Sequence, residues 1–327
     1  MTEERPSLAE LFRFQAEQAV GRSPRYAELC RRFADDPNVA AIVETPPRWD
    51  APLRLLSGLH YLVLSGAAEW DSISDALVTH RDFLGRFVGE QAVQTNEVQR
   101  CWMLLPCFLE AARRTGAGTF DVIELGASAG LNLGWDSYRY RYADGDWGPA
   151  GAQLELAGEE RRPVPAELLA LTPRIRSRVG IELNPIDITT DRGVSLLKSF
   201  VWPDQTWRLE QLDRAIAALR NEPPELVQGD LADLLPGLLD SRRDDALTVV
   251  WQTAVLGYLP EDRNQLVRAA LANSGATGPL AFVEATAPDN GDHTYYGLNL
   301  QLWPDGQSVQ VAYADVHGSW IDWLGGS

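Results

Sequence analysis

Glu124-Leu-Gly-Ala-Ser-Ala-Gly130 sets an acid, two glycines and a serine at spacings that chemistry can use. The segment closes a short, mostly apolar run, Phe120 to Leu125, of the kind that forms a buried parallel strand. Three readings apply. Glycines after a first strand let the backbone approach a ligand closely, and the amides opening the next helix then face a negative group. The G-x-G-x-x-G fingerprint is excluded, because Ser128 and Leu131 stand where it needs glycine, and no Gly-Lys pair follows for a Walker A loop. The second reading is a nucleophile elbow. Gly126-x-Ser128-x-Gly130 is formally G-x-S-x-G, with His293 and His317 downstream in that triad's order. Against it, the preceding residues read as helical and contain no His-Gly-Gly type oxyanion segment. The third reading is a tight turn whose small residues serve packing alone.

An acid, one spacer, Gly126, three residues and Gly130 is similar to motif I of class I methyltransferases, E/D-x-G-x-G-x-G, with Ser128 at the middle glycine. The resemblance implies S-adenosylmethionine as cofactor, with Glu124, Gly126, Ala127, Ser128 and Gly130 shaping its loop. It implies that Glu182, in Val179-Gly-Ile-Glu-Leu-Asn-Pro185, clamps the ribose, since a carboxylate offers two oxygens to two vicinal hydroxyls. It also implies that Asp230 accepts from the adenine amino group while the Leu231 amide meets a ring nitrogen. A helix cap is the competing role for Asp230. Glu182 lies 52 residues after Gly130, where the related dinucleotide fold uses about 20. An insertion at about 138–178 is therefore expected, either a lid or a surface elaboration. Gln252 and Thr253 end a fourth strand, where ligands bind in such sheets, and could orient a substrate. Trp251 beside them could stack on a ligand or fill core.

Over nearly its whole length the chain resembles a bacterial family of methyltransferase-like proteins known only as a domain of unknown function. The resemblance rests on Gln94-Thr-Asn-Glu97 with Arg100, the loop through Asn132, Gly180 to Pro185, Val201-Trp-Pro203, Gln228-Gly-Asp230 and Ala254-Val-Leu-Gly-Tyr258. The label implies the fold and no established reaction. Asn96 and Arg100, polar and just ahead of the first strand, could reach the methionine carboxylate or the substrate. Alternatively, Asn96 caps a helix and Arg100 lies on a solvated face. Were the acceptor a hydroxyl or thiol, a base would be needed, and His293, Asp289 and Glu284 lie near the end of the fifth strand.

These residues need a scaffold. Strands are expected at Val179 to Leu183, Glu225 to Gln228, Leu247 to Trp251 and Leu280 to Glu284, with helical patterns at Gln205 to Arg220 and Pro260 to Ala272. Such alternation predicts a mostly parallel sheet with helices on both faces. Gly297 to Trp303 and Ser308 to Val316 flank Pro304-Asp-Gly306, which predicts a closing antiparallel hairpin. A further hairpin is read from Tyr138 to Tyr142 and Gln153 to Leu156. Residues 1–115 read as helices: a capping box at Ser7 and Glu10, Pro52 opening a helix that Gly66 ends, an amphipathic run from Asp71 to Gly89, and a helix to about Arg114 that Pro106 kinks or splits. The fold class is α/β, a Rossmann-like class I methyltransferase fold over 118–327 preceded by an all-helical domain over 1–117.

A net charge of −17 disfavours nucleic acid as partner, because phosphate contacts supply most of that affinity. The N-terminus lacks the apolar core of a secretory signal, and the longest apolar stretch, Leu55 to Ala68, is too short to span a bilayer. Cys30, Cys101 and Cys107 lack CxxC spacing and read as reduced thiols of a cytoplasmic protein. The histidines show no metal-ligand spacing, so no metal is expected. The leading function is an S-adenosylmethionine-dependent methyltransferase acting on a small molecule or peptide, without membrane or nucleic-acid partners. The alternatives are a serine hydrolase using Ser128 and a non-catalytic S-adenosylmethionine-binding or regulatory protein.

Overall fold

The computed structural model describes residues 6–94, 97–243, 245–288 and 294–325. Ser7 opens helix α1 (Leu8–Ala19) with the capping box its spacing predicts: its amide donates to the Glu10 carboxylate at 2.7 Å, and the Glu10 amide donates back to its hydroxyl. Helices α2 (Pro24–Phe33), α3 (Pro37–Ala40) and α4 (Ala51–Leu64) each carry a proline in the first turn, where a missing amide costs nothing. The run 71–89 is not one helix. A 3-10 turn precedes α5 (Ile73–Thr79) and α6 (Arg81–Glu90), which part at His80, where φ −116° and ψ 24° leave the helical region. The stripe Ile73, Leu77, Leu84 and Val88 is buried all the same. Helix α7 (Arg100–Thr115) runs unbroken through Pro106 and stops at Gly116 in the left-handed conformation.

The remaining elements are strands β1 (Thr119–Leu125), β2 (Arg139–Tyr142), β3 (Gly145–Trp147), β4 (Glu155–Ala157), β5 (Glu159–Arg162), β6 (Arg174–Glu182), β7 (Glu225–Gln228), β8 (Leu247–Thr253), β9 (Leu280–Thr286), β10 (Tyr295–Trp303), β11 (Gln307–Asp315) and β12 (Trp320–Trp323). Among them stand helices α8 (Ala166–Leu169), α9 (Asp191–Ser199), α10 (Thr206–Leu219), α11 (Leu231–Asp240) and α12 (Glu261–Gly275). Nine strands form a mixed sheet in the order β5-β12-β11-β10-β9-β8-β1-β6-β7. From β9 to β7 every neighbour is parallel. Numbered by chain order, those five run 3-2-1-4-5 from the β7 edge, the doubly wound arrangement. The predicted closing hairpin is β10 and β11, antiparallel to each other, with β10 also antiparallel to β9.

The smaller hairpin is paired differently from its pattern. Strand β2 turns at Ala143-Asp144 into β3, antiparallel, and β4 joins the other edge of β2 in parallel. Ala143 and Asp144 form the tight two-residue turn, with Gly145 opening β3, a turn that alternation alone did not reveal.

The chain divides into two compact units, and not at 117/118. One comprises Met1–Thr95 with Ile186–Asp213, the other Asn96–Pro185 with Arg214–Ser327. Thus α7 belongs to the sheet-bearing unit and α9 to the other, where Leu55, Leu56, Leu59, Phe12 and Phe33 form the core. In the sheet-bearing unit, Ile123, Leu125, Ile181, Val250 and Phe282 pack beneath Leu235, Leu239, Val267 and Leu271 of α11 and α12. Aromatic contacts join Phe108 of α7 to Trp135 and to Trp251 of β8.

Candidate functional site

Strand β1 has β6 on one side and β8 on the other, so the order of the sheet reverses there. Open α/β sheets bind ligands beyond the carboxyl ends of their strands at such a point. The chain leaving β1 takes up left-handed backbone at every second residue: Gly126 (φ 73°), Ser128 (φ 55°) and Gly130 (φ 74°). Both glycines are also required by packing. A Cβ on Gly126 would meet Val255 Cγ2 at 2.8 Å, and one on Gly130 would meet Pro224 Cγ at 2.9 Å. Ser128 bears the strain of a side chain in this region, about 1–2 kcal/mol. A compensating bond runs from its amide to Glu182 Oε2 at 2.8 Å. The helix that follows, Leu131–Ser137, is of 3-10 type.

Glu182 ends β6 and stays there because its other oxygen accepts from the Asn184 amide at 3.0 Å, while its main-chain oxygen accepts from the Gly229 amide. Glu124, one strand over, is 3% exposed. Asn132 donates to its Oε1 at 3.3 Å, and Oε2 makes no hydrogen bond. Burial pushes its carboxyl up to about 8, against the Asn132 amide and the nearby Trp251 indole, which favour the charged form. Ser128 Oγ and Gln252 Oε1 are likewise buried without a partner. In the β1–β8 register Leu125 sits opposite Gln252 and Glu124 opposite Trp251, so Gln252 leaves the sheet on the face that carries Glu284 and Arg268 of α12, and Glu124 leaves it on the other, toward Asn132.

Gln252 turns its amide nitrogen to Glu284 at 3.3 Å, and Glu284 is held by Arg268 of α12 at 2.7 Å. That ion pair occupies the Glu284 carboxylate. Asp230 caps α11 through the Ala232 amide at 2.8 Å and pairs with Arg263 at 2.5 Å. Burial, the largest single influence, pushes its carboxyl up, but Arg263 and the backbone amides together outweigh it and hold the carboxyl below the usual range. Leu231 follows as the first residue of α11. Asn96, Asp289 and His293 lie outside the described residues.

Arg100 does not face solvent. It is 8% exposed, and it donates from Nε to the Val316 carbonyl at 2.9 Å and from Nη1 to Thr253 Oγ1 at 3.1 Å. Tyr296 OH lies 3.5 Å from Nη2, and the guanidinium carbon stands 5.7 Å from that ring. The sequence reading did not find the neighbouring pair of His317 Nδ1 and the buried Glu97 Oε2, 3.6 Å apart. They meet because Gly318 (φ 81°) lets the turn after β11 press on the start of α7; a Cβ there would lie 2.6 Å from the Gln99 carbonyl. The partners lie 220 positions apart in the chain, and only Glu97, in the polar cluster before α7, carried any signal.

For the elbow reading, no described histidine bonds Ser128 Oγ and His317 is turned to Glu97, while His293, the other downstream histidine, lies outside the described residues. The cysteines are free and buried; burial raises the Cys30 thiol to about 12 and the other two further. Among the described residues no three His, Cys, Asp or Glu side chains are arranged to hold a metal ion. Among them, too, no helix is long and apolar enough to cross a membrane. A groove of about 550 Å³ between α11 and α12 is lined by Ala232, Pro236, Leu239, Leu266 and Ala270. None of the orphaned oxygens opens into it, so its size does not make it the site.

No curated protein matches the chain. A crystal structure of an S-adenosylmethionine-dependent methyltransferase from Clostridium acetobutylicum ATCC 824 is similar at 12% identity, over 70% of this chain and 74% of that one, with a TM-score of 0.26. Residues 9–323 match the family described as "Uncharacterized protein conserved in bacteria (DUF2332)", and the chain belongs to that family.

Proposed function

We propose that the sheet-bearing unit is a class I methyltransferase fold that binds S-adenosylmethionine beyond β1 and transfers its methyl group to a small molecule or peptide. The observation that carries this reading is the turn after β1, at the reversal of strand order, where Gly126, Ser128 and Gly130 take left-handed backbone and the Ser128 amide donates to Glu182 at the end of β6. Buried polar atoms are almost always hydrogen-bonded, and Ser128 Oγ and Glu124 Oε2, on the residues of this motif, are buried without a partner, which supports a ligand there. The residues fit the cofactor. Glu182 spends one lone pair of each oxygen on the Ser128 and Asn184 amides and keeps others for the ribose hydroxyls. The Gly126–Gly130 turn, left-handed at both glycines and at Ser128, gives a ligand backbone rather than large side chains to meet beyond β1.

When bound, the cofactor supplies an electrophilic methyl on a sulfonium. The chain supplies positioning, the main lever in such a displacement. Gln252 and Thr253 line the side where the acceptor enters. His317, backed by the Glu97 carboxylate, is the better-placed proton acceptor for a hydroxyl or thiol, Glu284 being tied to Arg268.

The decisive measurement is a thermal-shift and calorimetric titration with S-adenosylmethionine, S-adenosylhomocysteine and NAD. A ligand of the native state raises stability by mass action, so the first two should raise the melting temperature and NAD should not. No shift at millimolar cofactor would end the reading. Binding without methyl transfer to any component of a cell extract would leave a non-catalytic binding protein. Covalent labelling by a fluorophosphonate, lost in Ser128→Ala, would restore the hydrolase.

A further inference from the structure

We infer that Arg100 is an anchor for the carboxylate of the methyl acceptor, so that the acceptor is a small organic acid. This rests on the methyl-transfer reading and names its substrate class. Arginine carries five N–H donors that cannot be deprotonated in a protein. Val316, Thr253 and Tyr296 take three of them, the last at 3.5 Å, the limit of a hydrogen bond. All three partners are neutral, and no carboxylate stands within ion-pair distance of Arg100 among the described residues. More than nine-tenths of the side chain is buried. A buried guanidinium without a counter-charge is costly, and breaking such a pair is among the most destabilising changes known. A carboxylate received on the two remaining donors would form the bidentate fork that this group favours.

The topology says which ligand brings it. Glu182 ends β6 and Asp230 follows β7, on one side of β1. The partners of Arg100 lie on the opposite side, on β8, β10 and the turn after β11. A cofactor seated over β6 and β7 and reacting at β1 leaves the β8–β10 side to the acceptor. The Tyr296 ring beneath the guanidinium and the exposed Tyr258, at the end of the loop from β8, give that side an aromatic wall for a flat apolar body. His317, next in sequence to the Val316 carbonyl that holds Arg100, stands where a leaving proton can be received.

Benzoate, its neutral isostere benzamide and acetate serve as probes, with binding read by calorimetry on the full chain. Benzoate should bind at least about tenfold more tightly than benzamide, because only it carries charge to the fork. Arg100→Gln should erase that ratio, and Arg100→Lys should keep part of it, the charge remaining while the fork is lost. Should Arg100→Gln fail to fold, Thr253→Val and the wild-type ratio still read the proposal. Equal binding of benzoate and benzamide, or none of either, would overturn it. A parallel arm compares S-adenosylhomocysteine with 5′-methylthioadenosine, which lacks the amino-acid end. If Arg100→Gln weakens only the former, the carboxylate is the cofactor's and the acceptor assignment falls. If neither nucleoside binds the wild type, the methyltransferase reading fails, while the benzoate ratio still reports on Arg100.

Discussion

The carboxyl ends of β1 and β7 present acids in comparable places with opposite accounts of their partners. Glu124 is buried, keeps one oxygen without a donor and holds its proton to about pH 8. Asp230 is over a third exposed, caps α11, pairs with Arg263 and is charged throughout the physiological range. The half-satisfied acid belongs to a place that something else completes, because an unmade buried hydrogen bond costs about 1–3 kcal/mol. The satisfied acid explains itself by local structure. Glu182 stands between them, engaged by two amides and still able to accept more.

The largest effect should come from Glu182. Its removal in Glu182→Ala frees the Ser128 amide and deletes the ribose clamp, and should weaken S-adenosylhomocysteine about hundredfold, roughly 2.7 kcal/mol. A change below about threefold by calorimetry would put the ligand elsewhere. Next is the pH profile of Glu124. Folding raises its pKa from the ordinary 4.5 to about 8, so between these values the folded chain holds a proton that the unfolded chain has released. Its contribution therefore falls as pH rises through that window, by up to about 1.4 kcal/mol per unit, and levels off above about 8. Denaturant melts of wild type and Glu124→Gln should differ in slope there; parallel profiles would remove Glu124 from the unsatisfied set.

Asp230→Ala should cost about 1 kcal/mol through the lost cap and leave nucleoside affinity within about threefold. A tenfold loss would erase the contrast with Glu124 and make Asp230 an adenine ligand after all. Ser128→Ala should change least. Its hydroxyl bonds nothing, so stability should move by less than about 0.5 kcal/mol, and a fluorophosphonate should label neither protein.

Legibility in the sequence followed chemistry that repeats locally. The apolar run of β1, the periodicity of α10 and α12 and the Pro-Asp-Gly turn between β10 and β11 needed only neighbours in the chain. Strand β6 was half visible. Its first residues, Arg174-Ile-Arg-Ser-Arg178, look like a solvated segment, yet Arg176 pairs with Asp121 and Asp245 while Arg178 pairs with Asp136. Charges paid for by distant partners hide a strand from pattern reading. At the candidate site, Glu124, Gly126 and Ser128 stood out because the loop fixes their spacing, and Glu182 only because it ends an apolar strand, its distance from the loop being unusual. The meeting of Glu97 with His317, and of Arg100 with Thr253 and Val316, was not, since it depends on tertiary packing that leaves room only for glycine at position 318.

One unit is assembled from two stretches of chain, Met1–Thr95 and Ile186–Asp213. No single cut can therefore release either unit whole. During synthesis the early helices must wait until β1 and β6 have left the ribosome before Trp202, which packs on their core, can join them.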